Sequence, residues 1–157
     1  MNKTVLIPAF AALLFFSCKK KDSCDYDSCS NAAPASEIQD VQDYLTNNSI
    51  TAIQHCSGVF YKIENAGTGK NPGFCSNIFF TYKGMLTNGS VFDESDVPVS
   101  YNLGGLITGW RNTLPLIKEG GKIVLYIPPS LGYGSQGQGP VPPNAITIFE
   151  VGLVAVQ

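Results

Sequence analysis

A chain of 157 residues has room for one domain and a leader. Hydrophobic residues make up 44% of it and charged residues 14%, the balance of a globular chain able to bury a core. The net charge is -2 and the lysines beyond residue 21 are dispersed, so no basic stripe exists to neutralise phosphates, which excludes nucleic acid as a partner.

The first element in chain order is a targeting segment. Lys3 precedes an apolar run from Val5 to Phe16, closed by Ser17-Cys18. The run is shorter than the roughly 20 residues a spanning helix needs, but it suits the core of a signal peptide. The pattern is similar to a bacterial lipoprotein signal, with residues 1–17 removed and Cys18 acylated as the new first residue. Phe15 departs from it, standing where such signals usually carry Leu. Several acyl chains would hold the chain on a membrane where one would not. Lys19 rather than Asp after the cysteine favours, by the same analogy, the outer membrane of a bacterial envelope. The alternative is an ordinary secretory signal with an incidental cysteine.

Residues 18–35 are polar, acidic in the middle and closed by Pro34, and read as a lipidated tether. Residues 36–56 form an appendage whose helix runs over 36–47. Ser36 and Gln39 make a capping box, Ile38, Val41 and Leu45 share one face, and Asn47-Asn48 end it. Cys24, Cys29, Cys56 and Cys75 lie in a chain that leaves the reducing cytosol. Three disulfide pairings are open; proximity in sequence favours Cys24 with Cys29 and Cys56 with Cys75. A zinc site built on His55 and these thiols is poor, because no second histidine supports it, and His55 reads as a surface residue.

From Val59 the pattern turns to strands. VFYKIE is followed by a turn through Gly67, Gly69 and Pro72-Gly73, then NIFFTYKGML, a tight turn at Asn88-Gly89, and a return strand from Val91-Phe92. GTGK at 67–70 lacks the earlier glycine and the Ser or Thr after lysine that a phosphate loop needs. In YNLGGLITGW, residues 101–110, the Gly104-Gly105 pair turns the backbone and isolates Leu106 and Ile107 as one wall of a concavity, with Trp110, the only tryptophan, as its floor. A helix over 110–117 carries Trp110, Leu114 and Ile117 at helical spacing, and Pro115 limits it to barely two turns. KIVLYI (122–127) and ITIFEVGLV (146–154) are the remaining strands. Gly132, Gly134 and Gly137 satisfy G-x-G-x-x-G, but Pro140, Pro142 and Pro143 forbid the helix that a dinucleotide site requires. The stretch reads instead as a flap that carries Tyr133 over the concavity.

Five blocks, namely FFTYKGMLTNGSVFDES, YNLGGLITGW, the GGK of 120–122, IPPSLGYG and VPPNAITIFEV, resemble the FKBP-type peptidyl-prolyl cis-trans isomerases in order and spacing. The resemblance covers residues 57–157 as one domain. It implies an α+β fold, an antiparallel half-barrel β-sheet wrapped around one short α-helix, here with an appended N-terminal helix. It also implies a proline pocket made by Tyr82, Phe92, Asp93, Leu106, Ile107, Trp110, Tyr133, Val141 and Phe149, flanked by Val99 and Tyr101. Catalytic roles fall to Asp93, to the Ile107 N–H and to the Tyr133 hydroxyl; Tyr82 is the expected partner of the Asp93 carboxylate. The implied activity needs no metal or cofactor. Its partners are proline-containing unfolded or exported polypeptides, with macrolide inhibitors as ligands of the same pocket. Two departures stand out: the loop between Asp93 and Val99 is short, and Gln138 takes a place that is often His.

The residue types suit that chemistry on their own terms. An aromatic and branched apolar pocket with one carboxylate holds no convincing nucleophile and no paired acid and base. Rotation about an amide needs neither, because its barrier of about 18–20 kcal/mol comes from resonance that a twist removes. Two rival readings use the same residues: a non-catalytic module that captures a proline-containing segment, and an envelope scaffold whose pocket is idle.

Overall fold

The computed structural model describes residues 24–157. The expected signal peptide, the acylated Cys18 and the start of the tether lie outside them. Among the described residues no helix is long and apolar enough to cross a membrane.

The architecture is one six-stranded antiparallel sheet with a helix on each face. In chain order the elements are α1 (Ala35–Asn47), β1 (Ile53–Gln54), β2 (Phe60–Asn65), β3 (Asn77–Leu86), β4 (Val91–Asn102), α2 (Thr108–Thr113), β5 (Lys122–Ile127) and β6 (Thr147–Val156). The strands lie in the order β1-β2-β5-β6-β3-β4. Period-two alternation splits each central strand between two cores. From β5 and β6, Ile123, Leu125, Ile127, Phe149, Val151 and Leu153 pack with Trp110, Leu114 and Ile117 on the α2 side. The intervening Tyr126 and Ile148 pack with Phe60 under Val41 and Leu45 of α1. Both helices of the sequence reading therefore exist, and each packs on one face.

α2 is as short as Pro115 requires: six α-helical residues pass into a 3-10 turn over Leu114–Leu116, with the proline in its first turn. Gly109 lets the helix press on the sheet, because a Cβ there would sit 2.7 Å from Ile127 Cγ2.

Four expectations need correction. The N-terminus of α1 is not a capping box. Pro34 occupies the cap, with φ -56° set by its ring, and no side chain caps the helix. Gln39 Nε2 instead donates to Asp43 Oδ1 at 2.7 Å, while Glu37 accepts from the Ser130 N–H at 2.9 Å and ties α1 to the flap's entrance. The disulfides are Cys24–Cys75 and Cys29–Cys56, not the pairs closest in sequence. Spatial neighbours decide them: Tyr26 stacks on Phe74 at 4.6 Å beside Cys75, and the Ala33 N–H donates to Ser57 O beside Cys56. Residues 24–34 consequently do not run free as a tether. They form a strap pinned by two disulfides, by Tyr26 donating to buried Asn112 at 2.6 Å, and by Ala33, which enters the core. Finally, no loop separates Asp93 from Val99. β4 is continuous, and a bulge absorbs the extra residues, since Tyr82 pairs with Ser95 and Phe80 with Val99. Pro98, which has no N–H, sits in that bulge, and Ser95 Oγ closes it by donating to Val97 O at 2.7 Å.

Candidate functional site

The concave side of the sheet is not filled completely. Between β3, β4, α2 and the flap a cleft of about 350 Å³ remains, lined by Phe80, Tyr82, Asp93, Tyr101, Leu106, Ile107, Trp110, Tyr133, Gln138 and Phe149, with Gly105 at the rim. Trp110 is its floor. The indole is 4% exposed and meets Phe80 and Phe149 edge-on at 5.0 and 5.2 Å, with Tyr82 at 5.9 Å, so four rings fix one another in T-shaped contacts. Phe80 belongs to this box and the sequence reading missed it. The alternation Ile78, Phe80, Tyr82 along β3 is the one signal that puts it on the Tyr82 face.

Three expected residues stand behind the lining rather than in it. Phe92 packs edge-on against both Tyr133, at 5.8 Å, and Phe149, at 5.5 Å, and so supports two walls. Val99 is partly buried against the core, opposite Phe80. Val141 is buried and closes the flap: its N–H and C=O exchange hydrogen bonds with Gln138 at 2.9 and 3.0 Å. That bridge makes a tight hairpin in which Gly137 has φ +65° and a Cβ would lie 2.2 Å from Val141 O, so the third glycine of the false fingerprint is a steric requirement of the flap. The hairpin sets Gln138 at the cleft. Tyr101 lines the cleft edge while remaining 57% exposed.

The polar groups are few. Tyr82 donates its hydroxyl to Asp93 Oδ2 at 2.7 Å, the partnership expected from the sequence. Burial, reinforced by this hydrogen bond and by the Asp93 charge, pushes the Tyr82 phenol up to about 12. Burial, then the Asp93 charge, raises Tyr133 as well. Both phenols are therefore protonated donors at any physiological pH. Ile107 caps α2, and its carbonyl accepts from the Trp110 and Arg111 N–H groups. Its own N–H donates to no described group, which leaves one backbone donor at the cleft wall.

A larger concavity of about 610 Å³ opens on the opposite face, between the C-terminal end of α1 and the sheet, with Tyr44, Ile50, Met85, Lys62, Glu64 and Glu150 around it. It lacks a paired donor and acceptor of the kind Tyr82 and Asp93 form, so size alone does not make it the site. A third, smaller hollow among Glu64, Lys83, Asp96, Lys122 and Glu150 is a charged surface groove. The donors that best resemble a metal site are Cys29, His55 and Cys56, all within 4.8 Å. The two sulfurs are joined to each other, and a metal would need both as thiolates. His55 is half-buried rather than a plain surface residue.

The structure thus brings a floor of one indole, walls of aromatic rings and an unengaged backbone donor together in one cleft. The family model for FKBP-type peptidyl-prolyl cis-trans isomerases matches residues 70–154, more than half of the chain. The chain belongs to this family. A probable FKBP-type isomerase of Haemophilus influenzae is 45% identical over 104 residues, and the FKBP-type isomerase FkpA of Escherichia coli is 41% identical over 104 residues. Each alignment covers 64% of this chain but only 43% and 38% of those relatives, so the chain spans about two fifths of their length. The crystal structure of Escherichia coli FkpA superposes with a TM-score of 0.71 at 35% identity, over 78% of this chain and 60% of that one. A peptidyl-prolyl isomerase of Pseudomonas syringae superposes at 0.69 with 27% identity, over 81% of this chain and 98% of that one. The matched residues take in β3, β4, α2, β5, most of β6 and the cleft, while β1, β2 and the disulfide-pinned strap lie before them.

Proposed function

We propose that this FKBP-family chain is a peptidyl-prolyl cis-trans isomerase that acts on exported, incompletely folded polypeptides from an acyl anchor at Cys18 in a bacterial outer membrane. The observation that carries the catalytic reading is the cleft itself: a rigid aromatic box with one unengaged backbone N–H on its wall and no nucleophile inside it. A planar Xaa-Pro amide is strongly polar through resonance, and a twisted one is less so. An apolar box therefore disfavours the planar ground state more than the twisted transition state, which is differential binding in the direction catalysis requires. The proline ring would rest on Trp110 between Phe149 and Tyr82. The Ile107 N–H and the Tyr133 hydroxyl would hold substrate carbonyls on one side while the other side turns. Asp93 has a second task, since by accepting from Tyr82 it orients that ring and sets the polarity of the rim.

A buried proline ring hides roughly 100 Å² of apolar surface, worth about 2.5 kcal/mol. That term alone gives an affinity weaker than millimolar. Weak, broad recognition fits clients that share prolines and little else, whose uncatalysed isomerisation takes tens to hundreds of seconds. Macrolides that fill the same box would compete with such clients. The purified protein should speed cis-to-trans conversion of Xaa-Pro peptides, and Phe149→Ala with Tyr133→Phe should remove most of the acceleration. Saturable quenching of Trp110 fluorescence by these peptides without any acceleration would instead make the chain a binding module.

A further inference from the structure

The strap of residues 24–34 lies before the family-matched segment, yet it touches both pieces of backbone that carry the cleft wall. The first piece is α2. A helix of six residues has too few internal hydrogen bonds to fix its own direction, so contacts around it must do so. Trp110 faces the cleft, and Asn112, more than half a turn further on, faces away from it and is 2% exposed. Among the described residues the side-chain partner of Asn112 is Tyr26, whose hydroxyl donates to Oδ1 at 2.6 Å, while Nδ2 has no partner. The Tyr26 ring also carries the Arg111 guanidinium, 5.8 Å from its centre. Arg111 Nη2 in turn donates to Thr108 Oγ1 at 2.6 Å in the first turn of the helix. One strap side chain therefore holds two successive residues of α2.

The second piece is the turn Leu103–Gly105, which delivers Leu106 and Ile107 to the cleft. Tyr26 stacks on Phe74 at 4.6 Å, and Phe74 presses on Gly104 so closely that a Cβ there would lie 3.0 Å from Phe74 Cζ. Asn102 ties the same turn to Cys75: its Nδ2 donates to the Cys75 carbonyl at 3.0 Å and its Oδ1 accepts from the Gly104 N–H at 3.1 Å. Cys75 is bonded to Cys24, two residues before Tyr26.

We propose that Tyr26 is a positioning residue for the cleft: anchored by Cys24–Cys75, it braces α2 and the 103–105 turn from outside and so fixes the Ile107 N–H. Ile107 follows the turn and caps α2, so a tilt of either piece displaces that donor. Tyr26 does not line the cleft. Its catalytic consequence rests on the isomerase reading, whereas the brace itself rests on the contacts above. A misplacement of about 1 Å can cost about a hundredfold in rate, and losing one hydrogen bond behind the wall should cost less.

The test uses the intact, oxidised protein and two readouts at a temperature where every variant is folded: kcat and KM on an Xaa-Pro peptide, and amide hydrogen exchange by NMR. Tyr26→Phe keeps the ring and removes the hydroxyl. It should lower kcat about fivefold with KM changed by less than about twofold. It should also speed exchange at the Trp110 and Arg111 amides, which donate to the Ile107 carbonyl, by about threefold or more. Removing the anchor with Cys24→Ser and Cys75→Ser should have at least the same effects, and adding Tyr26→Phe to that pair should change little further. Ala33→Gly is the control, at the other end of the strap beside Gly58, and should leave both readouts unchanged. Unchanged kcat and exchange in Tyr26→Phe, a loss confined to KM, additive losses from Tyr26 and the cysteine pair, or an equal loss in Ala33→Gly would overturn the assignment. If the unmodified protein does not accelerate isomerisation, the isomerase reading fails by itself, and the exchange readout still decides the brace: faster exchange upholds it and unchanged exchange overturns it.

Discussion

The two faces of the sheet use the same strands and end differently. On the α1 face, Val41 and Leu45 close over Phe60, Tyr126 and Ile148, aliphatic groups against a sheet surface. On the α2 face, rigid rings meet edge-on around Trp110 and leave a cleft, because planar groups held in T-shaped contacts cannot collapse to fill it. Adjacent residues such as Ile148 and Phe149 point to opposite faces: one lines the wide hollow beside α1, the other frames the aromatic cleft. The contrast predicts that stability and activity can be separated by the parity of a residue along a strand.

The most forceful way to break this contrast is to truncate one residue on each face. Trp110→Ala should destabilise the protein by about 3–5 kcal/mol and abolish isomerisation. Leu45→Ala should lower stability by about 2–5 kcal/mol, yet leave kcat/KM unchanged at temperatures where the variant is folded. Denaturant unfolding beside a peptide assay reads both. Equal loss of activity in the two variants would dissolve the distinction. Next in size is Gly109→Ala, whose new Cβ would meet Ile127 at 2.7 Å. Overpacking of this kind costs about 1–3 kcal/mol, and by tilting α2 it should reduce kcat/KM more than Gly73→Ala, outside the cleft lining, where the nearest atom lies 3.9 Å away.

Smaller effects sharpen the account of the rim. Tyr82→Phe removes the donor to Asp93, and because Asp93 is exposed and can be rehydrated, stability should fall by only about 1 kcal/mol. Activity should fall severalfold in the same variant, and Asp93→Asn should add little to it if the pair acts as a unit. The smallest signal is spectroscopic. Since the folded Tyr82 phenol is raised to about 12 from an ordinary value of 10.0, its contribution to stability is complete below pH 10 and is lost as pH rises from there through 12. Phenolate absorbance should show a late-ionising tyrosine that Asp93→Asn brings forward.

Much of this architecture was legible in the chain. β3 and β5 have the bounds that NIFFTYKGML and KIVLYI suggest, because alternation over such runs is a strong local signal. Pro115 correctly limited α2, since a missing N–H acts locally whatever the tertiary context. The errors come from information that is not local. Pro34 outcompeted Ser36 as the start of α1 because its ring presets the backbone, and Glu37 found a partner 93 residues away. The disulfides follow the stacking of Tyr26 on Phe74 and the Ala33–Ser57 backbone contact, which no spacing rule encodes. In the cleft, the Tyr82–Asp93 bond was readable because a carboxylate beside aromatic residues needs a donor. Phe80 was hidden because a core phenylalanine and a lining phenylalanine look alike in sequence. Val141 proved to be a support because it pairs with Gln138 in the flap's bridge, and Phe92 because it packs edge-on behind Tyr133 and Phe149.

The measurement closest to the central claim is the catalysed exchange rate of an Xaa-Pro peptide, followed by NMR in H2O and in D2O. A cleft that works by preferring the twisted amide should accelerate exchange to the same extent in both solvents, with no proton in flight at the transition state. No acceleration, or an acceleration that drops severalfold in D2O, would contradict it.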